Sequence, residues 1–173
     1  KTLTWEMVRT ACDRTLKLTG MIMWILIGAY CFTAAYHAMG APELIHNLMQ
    51  HIPGGRWGTI IFIQAIIFFL AMVLDPVGIM MLTIPVFLPI VKTLGFDPLW
   101  FGILFVINME IGYMTPPFGF NLFYLKGIVP PSITMSDIYR SVFPFVIVET
   151  IGLALVMLFP QIALWLPNFL FGG

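Results

Sequence analysis

The sequence predicts an all-α integral membrane protein whose transmembrane helices include one re-entrant helical hairpin and one helix broken at proline. Three observations predict it. Of the 173 residues 60% are hydrophobic and only 9% charged, and a mean hydropathy of +0.99 lies far outside the range of a soluble globular domain. The apolar runs reach the length of bilayer spans. Two of them are interrupted, by Asp75-Pro76 and by Thr115-Pro116-Pro117, where proline removes a backbone donor and clashes with the preceding turn.

The elements follow in chain order. Residues 1–17 are a polar cytoplasmic lead-in with Glu6, Arg9, Asp13, Arg14 and Lys17. With no signal peptide, and Lys1 where a Met would stand, the chain is expected to be part of a longer polypeptide. Residues 18–39 form a transmembrane helix: Leu18 to Tyr36 is free of charge and, at about 1.5 Å per residue, covers a hydrocarbon core about 30 Å thick. Arg9, Arg14 and Lys17 are not matched beyond it, so the positive-inside rule puts Lys17 in the cytoplasm and residues 40–56 in an external loop.

Residues 57–92 read as the re-entrant hairpin. Its first arm, Trp57 to Leu74, is nearly long enough to span; its second, Ile79 to Val91, covers only about 20 Å and contains Pro85 and Pro89. The tip at Asp75 is therefore expected inside the bilayer, where such backbone needs protein or a water-filled cavity around it. Residues 99–129 read as the broken helix, which would measure about 46 Å if continuous; the diproline splits it into two half-helices joined by an unwound strip. A cytoplasmic loop, 130–141, leads to a last transmembrane helix, 142–167, which carries Pro144, Glu149 and Pro160 and ends near the interfacial Trp165. Counted from Lys17, this topology returns Lys126 and Arg140 to the cytoplasm, as the rule requires, with Lys92 outside as the one charge against it.

The interruptions carry the candidate chemistry. Asp75-Pro76 and Thr115-Pro116 each offer an N-cap oxygen followed by proline at the first helical position, so both read as helix starts. A helix N-terminus at membrane depth suits a carboxylate, and carbonyls freed at a neighbouring helix C-terminus suit a hard cation such as sodium. Asp97-Pro98 has the same form in a polar loop, where it is only a cap; Asp75 reads equally well as a structural cap or as a ligand. Glu110, one turn before the break, is either an intramembrane functional carboxylate or a structural one facing another helix. Asn108 and Asn121 flank the break and could supply oxygens, or more simply satisfy freed backbone groups. Glu149 reads as structural. His37, His46 and His51 are near or in the external loop and read as solvated or interfacial. Cys12 and Cys31 have no metal or redox spacing, and no nucleophile elbow, zinc-ligand helix or phosphate loop occurs, so an enzyme is not expected. The net charge is zero and the basic residues are scattered, which excludes the footprint that nucleic acid requires.

The ordered set Leu74-Asp75-Pro76-Val77-Gly78, Pro85, Pro89, Gly95-Phe96-Asp97-Pro98, Trp100-Phe101-Gly102 and Asn108-Met109-Glu110-Ile111-Gly112-Tyr113-Met114-Thr115-Pro116-Pro117-Phe118-Gly119-Phe120-Asn121-Leu122 resembles the large membrane subunit of tripartite ATP-independent periplasmic (TRAP) transporters, in its C-terminal portion. The resemblance continues through Ser136-Asp137-Ile138-Tyr139-Arg140, Pro144-Phe145, Pro160 and Leu166-Pro167, and is weakest from Ala41 to Gly58. It implies one inverted repeat of an elevator-type secondary transporter in the bacterial inner membrane, importing organic acids with sodium as coupling ion and no other cofactor. The partners it implies are a small membrane subunit, an extracytoplasmic substrate-binding protein and the remainder of the large subunit. The residues it places at the substrate or ion site are Asp75, Pro76, Gly78, Glu110, Gly112, Thr115, Pro116, Pro117, Gly119 and Asn121, with sodium near Asp75, Gly78, Thr115 and Gly119. A non-transporting structural subunit, and a related sodium-coupled carrier without a binding protein, are the alternatives.

Overall fold

A computed structural model describes residues 4–50, 52–116 and 119–171. All regular structure among them is helical. Helix α1 (Trp5–Ala38) opens on an N-cap, Thr4, whose side chain accepts from the Met7 N–H. It corrects the division at residue 17: the polar lead-in and the first span are one helix of 34 residues. No glycine or proline precedes Gly20, so nothing interrupts the hydrogen-bond ladder there, and Lys17 pairs with Asp13 one turn earlier. After a turn at Gly40, helix α2 (Ala41–Gln50) occupies much of the expected external loop, a second correction. Pro42 near its start and Glu43 in its first turn are ordinary helix-initiating residues.

Helices α3 (Gly55–Ala71) and α4 (Pro76–Thr93) form a hairpin. The second arm is longer than expected: Pro85 and Pro89 stay within α4, which has 18 residues and so covers about 27 Å. Among the described residues three helices, α1, α4 and α7 (Met135–Leu158), are long and apolar enough to cross a membrane. Helix α5 (Pro98–Met114) lies at the centre, with Trp100, Phe101, Leu104, Phe105, Met109 and Tyr113 buried against α3, α4, α7 and the last helix. It is followed by α6 (Phe120–Ile128), then by α7, and finally by α8 (Gln161–Phe171).

The last two helices correct the expected single span 142–167. Helix α7 starts seven residues earlier, at Met135, because Thr134 and Asp137 form a reciprocal capping box that satisfies two otherwise orphaned backbone donors. The polar segment 135–140 is thus helix rather than loop. At the other end the chain breaks at Phe159-Pro160. Pro160 has no N–H to offer the carbonyl of Val156 four residues before it; the Trp100 indole N–H donates to that carbonyl instead, at 2.9 Å. Trp100→Phe keeps the ring but orphans the carbonyl, and is expected to lower the apparent unfolding temperature of the purified protein, the loss being about 1–3 kcal/mol.

Relative directions follow from side-chain pairs. Trp57 meets Trp100, with ring centroids 6.1 Å apart; Asn108 bonds to Gln64; and a Cβ built on Gly112 would touch Ala71. Positions advance together along both helices, so α3 and α5 are parallel. Helix α4 runs back between their levels, bringing Phe96 within 5.1 Å of the Trp57 ring. Helix α7 runs the other way from α5: Trp100 meets Val156, Glu110 lies within electrostatic reach of Glu149, and Leu122 of α6 clusters with Ile138 and Val142.

Candidate functional site

Because α3 and α5 are parallel, the hairpin tip and the break of the α5–α6 segment fall at the same level. Direct approach of the two helices depends on Gly112. A Cβ there would lie 2.4 Å from the Ala71 Cβ and 3.2 Å from the Phe68 carbonyl oxygen, so the α5 backbone rests on the last turn of α3. Tyr113, buried next to it, stands within electrostatic reach of both the Asp75 and the Glu110 carboxylates.

At the tip, Asp75 is the N-cap of α4. Its Oδ2 accepts from the Gly78 N–H at 3.0 Å, and Pro76 occupies the first turn. Gly78 makes room for the carboxylate: a Cβ there would sit 2.8 Å from Asp75 Oδ1. The expected helix start is therefore present, and its own aspartate takes one of the N–H groups that could bind an external anion. Asp97 caps α5 in the same manner, accepting from Leu99 and Trp100.

At the break the sequence expectation needs correction. Thr115 does not start a helix; it ends one. Its backbone is extended, its Oγ1 donates to the Ile111 carbonyl at 2.6 Å and its N–H donates to that of Gly112. This back-bond is what a threonine at the end of a helix makes when its hydroxyl finds the carbonyl four residues earlier. Pro116 follows in an exposed turn. Pro117 lies outside the described residues, as does His51, and nothing is described of the His46 side chain. The next helix begins only at Phe120, with Gly119 as its N-cap at φ +31°, in the left-handed region that favours glycine. A side chain at Gly119 would also strike Leu122, 2.7 Å away. Since glycine offers no capping oxygen, α6 starts without a side-chain cap, as α3 does at Gly54.

Glu110 and Asn121 meet across the break, with Asn121 Nδ2 donating to Glu110 Oε2 at 3.4 Å, both on an exposed face. Asn108 is not at the break at all. It is buried between α3 and α5, bonded to Gln64. Glu149 Oε2 is buried and, among the described residues, has no hydrogen-bond partner. His37 is exposed at the end of α1, beside Tyr36. Sequence reasoning missed Gln64 and Tyr113; the signal for Gln64 was available, because it is the one amide inside the apolar run Trp57 to Leu74.

Oxygen atoms that fit a hard cation are thus present at one level: the Asp75 carboxylate and the carbonyl end of α5, the negative end of its helix dipole. The chain matches, over residues 1–162, the family model described as "Tripartite ATP-independent periplasmic transporter, DctM component". It is 29% identical, over 95% of its length, to the C4-dicarboxylate TRAP transporter large permease protein DctM of Pseudomonas aeruginosa, covering 39% of that protein. To the protein of the same name from Vibrio cholerae it is 33% identical over 90% of the chain, covering 34%. To the sialic acid TRAP transporter permease protein SiaT of Haemophilus influenzae it is 26% identical over 98% of the chain, covering 27%. The chain spans about two-fifths or less of the length of these relatives.

Proposed function

The chain belongs to the family of DctM components of TRAP transporters, and on that premise we propose that it supplies one hairpin and one broken helix to a sodium-coupled importer of organic acids. It is a membrane transporter component and not an enzyme. Relatives named for C4-dicarboxylate and for sialic acid support a carboxylate as the transported group. An extracytoplasmic binding protein would deliver it, and a small membrane subunit and the remainder of the large subunit would complete the assembly in the bacterial inner membrane.

The observation that carries the proposal is the common level of tip and break. Helix α7 has 24 residues, about 36 Å, and the bond of Trp100 to Val156, with Glu110 within electrostatic reach of Glu149, puts the break opposite its middle. Helix α6 and the first half of α7 extend beyond that level. If α7 crosses the bilayer, the tip and the break lie near its midplane, which supports a re-entrant hairpin over two full crossings. There the uncapped start of α6 suits the substrate carboxylate, by its N–H groups and the positive end of its dipole. Asp75 and the carbonyl end of α5, the negative end of its dipole, suit sodium. Both charges would thus be held by one block of structure that can move as a unit, as an elevator mechanism requires.

The test is uptake by liposomes containing the full-length protein with its small subunit, supplied with the binding protein. Carboxylate uptake is expected only with an inward sodium gradient and with the binding protein present. A correctly assembled complex that takes up no carboxylate in response to sodium would sink the proposal.

A further inference from the structure

We propose that the Asn108 amide, bonded to the α3 backbone at Gln64, is a pin that sets the register of α3 against α5, making Asn108 a positioning residue for the tip and the break. The inference rests on the transport reading above for its consequence, though not for its geometry. Gln64 is 5% and Asn108 3% exposed, at the middle of an interface otherwise built from Ile60, Ile63, Ile67, Leu104 and Phe105. Asn108 Nδ2 donates to the Gln64 main-chain carbonyl at 2.6 Å and to Gln64 Oε1 at 2.7 Å. Two acceptors face it, so only the nitrogen end of the Asn108 amide can point there, and the carbonyl has a second lone pair beyond the one its own helix uses.

The apolar side chains around the pair do not fix register. Isoleucine and leucine ridges interlock at more than one offset, and between membrane helices no hydrophobic force selects among the offsets. A hydrogen bond to a main-chain atom is different, because it ties Asn108 to one position of the α3 backbone. From that point Ala71 lies seven residues on and Gly112 four, where the α5 backbone seats against α3 so closely that a Cβ on Gly112 would lie 2.4 Å from that of Ala71. The pin and the glycine contact therefore determine one register between them. The Gln64 side chain has the lesser part: its Nε2 has no partner among the described residues, and the bond from Asn108 to its main chain does not need the side chain at all.

This asymmetry gives the test. In the assembled full-length transporter, amide hydrogen–deuterium exchange at 70–75 and 111–116 is compared for wild type, Asn108→Leu, Gln64→Leu and the double variant, together with the sodium concentration for half-maximal uptake. Asn108→Leu keeps the branched heavy-atom shape but has no donor; it is expected to exchange about three- to tenfold faster at both segments. Its half-saturating sodium concentration should rise by a similar factor, while the maximal rate per assembled complex changes less. Gln64→Leu should change each reading by less than about twofold, and the double variant should match Asn108→Leu. Should Asn108→Leu fail to assemble, Asn108→Ala serves with the same expectations. Unchanged exchange overturns the pin, as does unchanged sodium half-saturation in a variant whose exchange has quickened, or a Gln64→Leu effect as large as that of Asn108→Leu. A wild type that shows no sodium-driven uptake counts against the transport reading instead, and exchange alone then decides the pin.

Discussion

Asp75→Asn is expected to leave the protein folded while reducing sodium-driven uptake by roughly ten- to a hundredfold, the range for removing one charged partner from a buried contact. The substitution separates two roles that coincide in the wild type. Asparagine caps a helix about as well as aspartate, so the bond from the Gly78 N–H survives and α4 still begins at Pro76. What disappears is the negative charge available to a cation. Asp75→Ala removes the cap as well, at a further cost of about 1 kcal/mol, and should show lower stability in addition to lost uptake. Uptake by Asp75→Asn at the wild-type rate would reduce Asp75 to the same purely structural duty that Asp97 performs at the start of α5. Measuring unfolding temperature and uptake on the same preparations distinguishes these cases.

Gly112→Val is expected to abolish uptake and to destabilise the protein by about 1–3 kcal/mol or more, the cost of overpacking a closed interface. The Ala71 Cβ, the Phe68 carbonyl oxygen and the Ala71 carbonyl carbon all lie within 3.3 Å of where the first side-chain atom would be. Two of these three are backbone, which cannot rotate away, and Ala71 is wholly buried. Helix α5 would have to move off α3, carrying the break away from the tip. Gly112→Ala should give an intermediate result. Enlarging Ala71 to valine should resemble Gly112→Val, since it overfills the same gap from the other side. Normal uptake and stability for Gly112→Val would mean that α3 and α5 do not approach each other here, and would remove the observation on which the shared level of tip and break depends.

The positions of the chain breaks were legible because proline acts locally. Asp75-Pro76, Asp97-Pro98 and the 115–119 region all interrupt helices where the sequence says they should. The direction of a cap was less legible. Thr115 can serve the helix after it or the helix before it, and the choice depends on whether its hydroxyl meets a free N–H or the Ile111 carbonyl, which composition does not reveal. Pro160 posed the opposite difficulty: proline sits inside α4 and inside α7 without ending either, so a further proline gave no ground for dividing 142–167. What distinguishes Pro160 is a residue 60 positions away, Trp100, that compensates its missing donor. Helix α2 was hidden because ten amphipathic residues beside charged ones also read as loop. The role of Asn108 went unseen for a similar reason: its partner is on another helix, and proximity to the break in sequence suggested the wrong neighbour.

The 34 residues of α1 extend about 51 Å, some 20 Å more than a bilayer's hydrocarbon thickness of about 30 Å. Such a rod adapts to thicker or thinner membranes by leaning, or by drawing more of its charged first half toward the headgroups, at small cost. The hairpin has no such freedom, since its arms are short and its tip is fastened to α5. Mismatch between protein and lipid would therefore be absorbed by α1 and felt by the hairpin, so acyl-chain length becomes a variable that acts on the hairpin tip while leaving α1 indifferent.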